Sequence, residues 1–387
     1  MSYKPVKYLL LIVVLAVSLA LNGMGTANAA PAAPGKGTAK SVCTRSSSKD
    51  VANCHAWVKP NASTAPVGLT PAQMKAAYGF STSNTAGAGK TIAIVDAYDL
   101  PTAENDLNVF STQFGLPACT TASGCFKKVS QTGSTTKYPS YNAGWGLEIA
   151  LDIEWAHAIA PGANILLVEA TSSTFANLLT AEDYAAAHAT YVSNSWGGSE
   201  SSGQTSYDSH FVHSGVSFFV SAGDAGLPAE YPSSSPNVIS VGGTLLTFNA
   251  NGTVASETGW TSGGGGCSKY ETAPAAQSAF AGYAQVSCAG KRATPDISLD
   301  ADPNSGAAVY DSSNYSGQKG WYQVGGTSLS SPMIAARSAV AGALINSAYI
   351  YGNNITYRDI TSGNNGAACL VGFDLCSGRG SWLGATP

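Results

Sequence analysis

Charged side chains are scarce in this sequence. Asp, Glu, Lys and Arg make up 11% of its 387 residues, against about a quarter of an ordinary globular chain. A surface so poor in ionisable groups changes its charge little as pH falls, which favours tolerance of acid. Neither sign dominates: the formal net charge is −4, so there is no basic footprint for nucleic acid. Past Leu21 no apolar run is long enough to span a bilayer. The eight cysteines contain no Cys-x-x-Cys spacing, which removes the usual zinc and redox arrangements. There are only five histidines, His55, His157, His188, His210 and His213, and none stands in a His-Gly-Thr-His setting. No internal repeat is present.

What is there begins with an export signal. Lys4 and Lys7 precede an apolar run from Tyr8 to Leu21, and Ala27-Asn28-Ala29 offers a small-x-small cleavage site. Residues 1–29 therefore read as a signal peptide, and the protein as secreted, with no membrane attachment after its removal. The cysteines fall as sequence neighbours around short polar loops: Cys43 with Cys54, Cys119 with Cys125, Cys267 with Cys288, Cys369 with Cys376. Local pairing is favoured in an oxidising compartment, each bridge adding about 2–3 kcal/mol by restricting the unfolded chain.

Residues 30–67 are rich in Ala, Ser, Thr, Pro and Lys, and read as a loosely structured lead-in with one disulfide and no full propeptide domain. At Thr70-Pro71-Ala72-Gln73 the texture changes to a helix start with a capping box. Apolar strands are predicted at 91–97, 164–169, 191–195, 216–221 and 238–241, with helices at 146–160 and 174–187. Buried apolar strands alternating with helices argue for an α/β fold: a mainly parallel central sheet flanked by helices on both faces. One catalytic domain, 68–387, is expected, with function gathered at the carboxyl ends of the strands.

Three local patterns carry chemistry. In Gly325-Gly326-Thr327-Ser328-Leu329-Ser330-Ser331-Pro332 two glycines permit a tight turn, and Ser328 falls at a helix N-terminus that favours developing negative charge. Ser328 is a nucleophile there, or simply an N-cap. A serine nucleophile needs a base. Glu148 and Asp152 lie four residues apart on a predicted helix with apolar neighbours, hence on one face about 5–6 Å apart. Two carboxyls crowded in a dry place cannot both ionise cheaply, so one pKa rises and the pair shares a proton. Finally, Ala222-Gly223-Asp224 ends an apolar strand. Asp224 serves an oxyanion only when protonated, and is otherwise a turn residue.

These elements, in this order, resemble the sedolisin family of serine-carboxyl peptidases, which is subtilisin-like in fold. Its Glu-x-x-x-Asp element matches Glu148 and Asp152, its Ser-Gly-Asp element matches Ala222-Gly223-Asp224 with Ala for Ser, and its Gly-Thr-Ser-x-x-x-Pro element matches Gly326 to Pro332. Ser193-Asn194-Ser195-Trp196-Gly197 and Pro295-Asp296-Ile297-Ser298 are similar too. The resemblance implies a three-layer subtilisin-like fold and an acid-active, acyl-enzyme endopeptidase acting on proteins or peptides. Ser328 is then nucleophile, Glu148 base, Asp152 its orienting partner, and Asp224 the protonated oxyanion donor. It also implies one structural Ca²⁺ held by the side chains of Asp359 and Asp374 and the carbonyls of Ile360, Leu370 and Gly372. Leu370 stands where the family has Gly, and the loop is short. Two other readings are a subtilisin-type peptidase using Asp96 or Asp99 with a histidine such as His157, and an inactive sedolisin-like binding protein. A monomer is expected.

Overall fold

The run Thr91–Ala97 (β1) is apolar along its length and buried from Ile92 onward, so it can only be an inner strand of a sheet covered on both faces. It lies in a ten-stranded sheet in the computed structural model, which describes residues 1–2, 38–352 and 355–384. The other strands used below are Phe126–Ser130 (β2), Asn164–Ala170 (β3), Tyr191–Asn194 (β4), Ser217–Ser221 (β5), Ile239–Phe248 (β6), Ile297–Asp300 (β7), Tyr357–Arg358 (β8) and Ser381–Trp382 (β9). Their order across the sheet is β8-β9-β7-β6-β5-β4-β1-β3-β2. Every neighbouring pair from β9 to β2 is parallel. β8 is antiparallel to β9, and the tenth strand, Val254–Gly259, pairs antiparallel with β6. The predicted strand at 238–241 therefore continues through Gly242-Gly243, because partners on both edges extend it.

Helices Ala143–Ile159 (α1), Phe175–His188 (α2) and Thr327–Ala341 (α3) pack on this sheet, and α1 also lies against α3. The side chain of Asn142 caps α1 by accepting from the N–H groups of Gly144 and Trp145. From Trp145 to Ile159 every residue of α1 is buried. A helix apolar all round belongs inside the protein, so acids on it are out of water by construction. The predicted capping box at Thr70 and Gln73 is present on the helix Pro71–Tyr78. All four disulfides join the sequence neighbours named above.

The expected loose lead-in is different. Lys40–Ser41 pairs with Trp57–Val58, which pairs in turn with Gln318–Gly325, and Asn53–Cys54 pairs with Trp196–Ser199. Val42, Cys43, Ala52, Cys54, His55, Ala56 and Val58 are buried. Strands of two residues leave no periodic signature, so a polar composition concealed them. The expected signal peptide lies outside the described residues. Among the described residues no helix is long and apolar enough to cross a membrane.

Candidate active site

Ser328 is the second residue of α3, and Pro332 sits four residues further along the same helix. Proline has no N–H, so the carbonyl of Ser328 loses its ordinary helical donor. Ser195 Oγ, just beyond β4, points at that carbonyl from 3.5 Å, and the Ser328 hydroxyl points back to the Ser195 carbonyl at 3.4 Å. The spacing Ser-x-x-x-Pro thus joins the turn of Ser328 to a neighbouring strand end. Gly326, at φ +95°, brings the backbone so close that a Cβ there would overlap the His55 carbonyl and Asp224 Oδ2. Only glycine fits that position.

Glu148 and Asp152 project from α1 towards this turn, as the four-residue spacing requires. Both are fully buried, and none of their four carboxyl oxygens has an ordinary hydrogen-bond partner. Burial pushes Glu148 well above the usual carboxyl range, helped by the charges of Asp152 and Asp96, while the nearby Ser328 hydroxyl pulls it back. Burial likewise raises Asp152, opposed by Ser195 and Glu148, which can donate to it. Buried carboxyls lacking other donors satisfy one another by sharing protons.

A third acid stands behind them. Asp96, near the carboxyl end of β1, is fully buried with neither oxygen paired. Burial raises its pKa well above the usual value, followed by the charges of Asp152 and Glu169. It was considered above only as a partner for histidine. An acid at the carboxyl end of an apolar parallel strand was the available signal. Asp99 is elsewhere, in an ion pair with Lys128 at 2.5 Å.

Asp224 follows β5. Its Oδ1 accepts from Thr327 N and Thr327 Oγ1, each at 2.8 Å, which ties the strand end to the start of α3. Oδ2 is buried and unpaired. Burial lifts this pKa to about 6, with His55 and the Thr327 hydrogen bonds acting the other way. Below that pH the carboxyl carries a proton, and the unpaired Oδ2, which lies against Gly326 two residues before Ser328, can act as a donor. The Ser328 N–H is a second donor on the same side, reaching the His55 carbonyl at 3.4 Å.

No imidazole serves Ser328. His157 is buried on α1, with Nε2 donating to the Pro117 carbonyl, and burial lowers its pKa to about 4. Both ring nitrogens of His55 are engaged, Nδ1 with Ser221 Oγ at 2.7 Å and Nε2 with Glu230 at 3.0 Å. Neither Ser221 nor Glu230 was singled out in the sequence, where nothing distinguishes them from other strand-end residues.

The two acids expected in the cation loop are Asp359, which follows β8 and is exposed, and Asp374, which is buried. Gly372 N donates to Asp359 Oδ2 at 2.9 Å, and Leu370 N to Asp374 Oδ2 at 2.6 Å, so both carboxylates flank one turn. Asp374 Oδ1 accepts from the N–H groups of Cys376 and Ser377. Asp359 Oδ2 and Asp374 Oδ2 each accept one of these bonds and keep a lone pair of the hard-oxygen kind that Ca²⁺ takes, whereas Asp374 Oδ1 is filled by the donors of Cys376 and Ser377. The cluster of Cys119, Cys125 and His157 is no rival site, because its cysteines form a disulfide.

A model of the subtilase family, peptidase S8, matches residues 138–362. Kumamolisin from Bacillus sp. (strain MN-32) is 31% identical over 366 residues, covering 83% of this chain. Sedolisin from Pseudomonas sp. (strain 101) is 35% identical over 206 residues, covering 43% of it. The chain spans 63% of the length of the first and 33% of the second. The solved structure of Pseudomonas sedolisin, a serine-carboxyl proteinase complexed with pseudo-iodotyrostatin, superposes with a TM-score of 0.68 at 30% identity. It covers 82% of this chain and 96% of that one. Sequence likeness, shared architecture and a serine facing two buried acids converge: this chain belongs to the sedolisin family of serine-carboxyl peptidases, within the subtilisin-like fold.

Proposed function

We propose that the chain is a secreted endopeptidase, active in acid, that hydrolyses peptide bonds of proteins or peptides through an acyl-enzyme. One observation carries the reading: Glu148 and Asp152, fully buried and without ordinary partners, face the Ser328 hydroxyl where no imidazole is present. Glu148, oriented by Asp152, takes the proton of Ser328 as its Oγ bonds to the scissile carbonyl carbon. The Ser328 N–H and protonated Asp224 stabilise the oxyanion. Glu148 then returns the proton to the leaving amine, and water repeats the sequence on the ester. Asp96 restrains ionisation of the pair from behind.

Acid activity is supported by a base made of carboxyls, Glu148 and Asp152, and by Asp224, which must stay protonated. Secretion is supported by the basic-then-apolar N-terminus and by four disulfides, which persist in oxidising compartments. Asp359, Asp374 and the carbonyls of Ile360, Leu370 and Gly372 would hold one Ca²⁺, which when bound supplies the positive charge that ties the two carboxylates together. The protein acts as a monomer.

The test compares wild type, Ser328→Ala and Glu148→Gln on an unfolded protein substrate at pH 3–4. Both substitutions are expected to lower the rate by about a thousandfold or more. Loss in Ser328→Ala alone, with Glu148→Gln unaffected, would refute the carboxyl base.

A further inference from the structure

Strand β4 runs out through three polar residues, Ser193-Asn194-Ser195, and all three are fully buried. Side chains alternate across a sheet, so this strand end is held from both faces. On one face Ser193 Oγ meets Ser331 Oγ of α3 at 3.0 Å, and Ser195 Oγ points at the Ser328 carbonyl. On the other, Asn194 reaches α2, where its Nδ2 donates to Glu182 Oε1 at 3.3 Å. Glu182 is itself fully buried on that helix.

Two atoms of this contact are left over. Glu182 Oε2 and Asn194 Oδ1 are both buried and both without a hydrogen-bond partner. An orphan acceptor at that depth is costly, and a carboxylate oxygen cannot relieve an amide oxygen. One proton resolves both: an O–H at Glu182 Oε2 donates to Asn194 Oδ1 and, with the amide bond already present, closes a ring between two planar groups. Burial favours the same state, lifting the Glu182 pKa to about 8, with the Asn194 amide opposing the rise and the charge of Asp183 adding to it. Helix α2 packs against β1, β3, β4 and the short helix Gln204–Phe211. Their ionisable side chains are Asp96, Glu169, Tyr191, Tyr207, Asp208 and His210. Among the described residues none of these charges acts on Glu182; Asp183 alone does, and it pairs with His210 at 2.8 Å.

We propose that Glu182 is a positioning residue of the site: protonated and ring-bonded to Asn194, it anchors the end of β4 from behind and so keeps Ser195 in place against Ser328 and Asp152. The proposal rests on the peptidase reading of Ser328. The anchor is closed in acid, where a carboxyl base works. It opens as pH rises through about 8, when the ionised Glu182 is left facing the amide oxygen.

The test compares the full chain as wild type, Glu182→Gln and Glu182→Leu, by urea unfolding from pH 5 to 9 and by kcat and KM on a short fluorogenic peptide at pH 4. Glutamine keeps the ring with an amide and has nothing to titrate. A carboxyl whose pKa is raised by folding loses its share of stability between its unfolded and folded values. The unfolding constant of wild type divided by that of Glu182→Gln is therefore expected to rise about tenfold per pH unit from 5 to about 7.5, and to level off above about 8. Glu182→Gln should keep kcat within about threefold of wild type. Glu182→Leu, which strands the Asn194 amide, should lose about tenfold or more in kcat with KM unchanged, because a small misplacement near the reacting groups is expensive. Asn194→Ala gives the same reading from the other side of the ring if Glu182→Leu does not fold. A ratio constant from pH 5 to 9 would overturn the proposal, as would a kcat in Glu182→Leu equal to that of wild type. A rising ratio with no peptidase activity in any form would count against the peptidase reading and in favour of the ring.

Discussion

Replacing Asp224 by Asn separates the two proton requirements of the site. Thr327 N and Oγ1 both donate to Asp224 Oδ1, so an amide there must turn its oxygen to Thr327 and its NH₂ to the position of the unpaired Oδ2. The variant keeps a donor beside Ser328 but needs no proton to make it one. In wild type the carboxyl titrates at about 6, so the donor fraction falls about tenfold for each pH unit above that. Titration of Glu148 and Asp152 has the opposite sense, because a base gains capacity as it loses its proton. On the proposed mechanism the alkaline limb would therefore belong to Asp224 and the acid limb to the pair.

The measurement is kcat/KM from pH 3 to 8. Wild type at Asp224 is expected to lose about fivefold between pH 6 and pH 7 and about tenfold more to pH 8. Asp224→Asn is expected to be slower at pH 4, faster at pH 8, and without the fall between 6 and 8. Stability gives an independent reading. A carboxyl whose pKa is raised by folding stabilises the fold fully below its unfolded value of 3.8, and that contribution is lost as pH rises to about 6. The loss is about 3 kcal/mol, and Asp224→Asn should lack it. An alkaline limb still centred near pH 6 in the variant would refute the assignment.

Other substitutions probe the frame. Arg292 and Asp296, both buried, form a two-pronged pair at 2.7 and 2.5 Å, so Arg292→Ala should cost about 3–5 kcal/mol in urea unfolding by stranding the carboxylate; a change below about 1 kcal/mol would contradict this. Gly326→Ala should abolish activity, since its Cβ has no room at φ +95°, and a kcat/KM within threefold of the parent would refute the close approach argued for Gly326. Calcium at about a hundred times its dissociation constant should stabilise the chain by about 3 kcal/mol in thermal melts. Asp359→Asn should remove most of that gain, and an unchanged calcium response would exclude the proposed loop.

Much of the candidate site's geometry was legible in the chain because its motifs encode local structure. Four residues on a helix set Glu148 beside Asp152, and apolar neighbours announced that both would be dry. A glycine before Ser328 and a proline four residues after it prescribe a tight turn and a freed carbonyl, whatever the rest of the fold does. The parallel sheet was readable because fully buried strands show as unbroken apolar runs. Asp96 and Ser195 were not legible as neighbours of the pair: their contacts join strands β1 and β4 to helix α1, and no local pattern records which strand end faces which helix.

The sequence by itself determined the residue types and local turns of the chemistry, since these depend on spacings of a few residues. Tertiary structure alone decided what those groups face. The three residues between Cys54 and Val58 have too little apolar pattern to announce a strand, and their place is set largely by backbone hydrogen bonds to segments far along the chain. Backbone donors and acceptors are the same in every residue except proline, so sequence cannot mark which of them will meet.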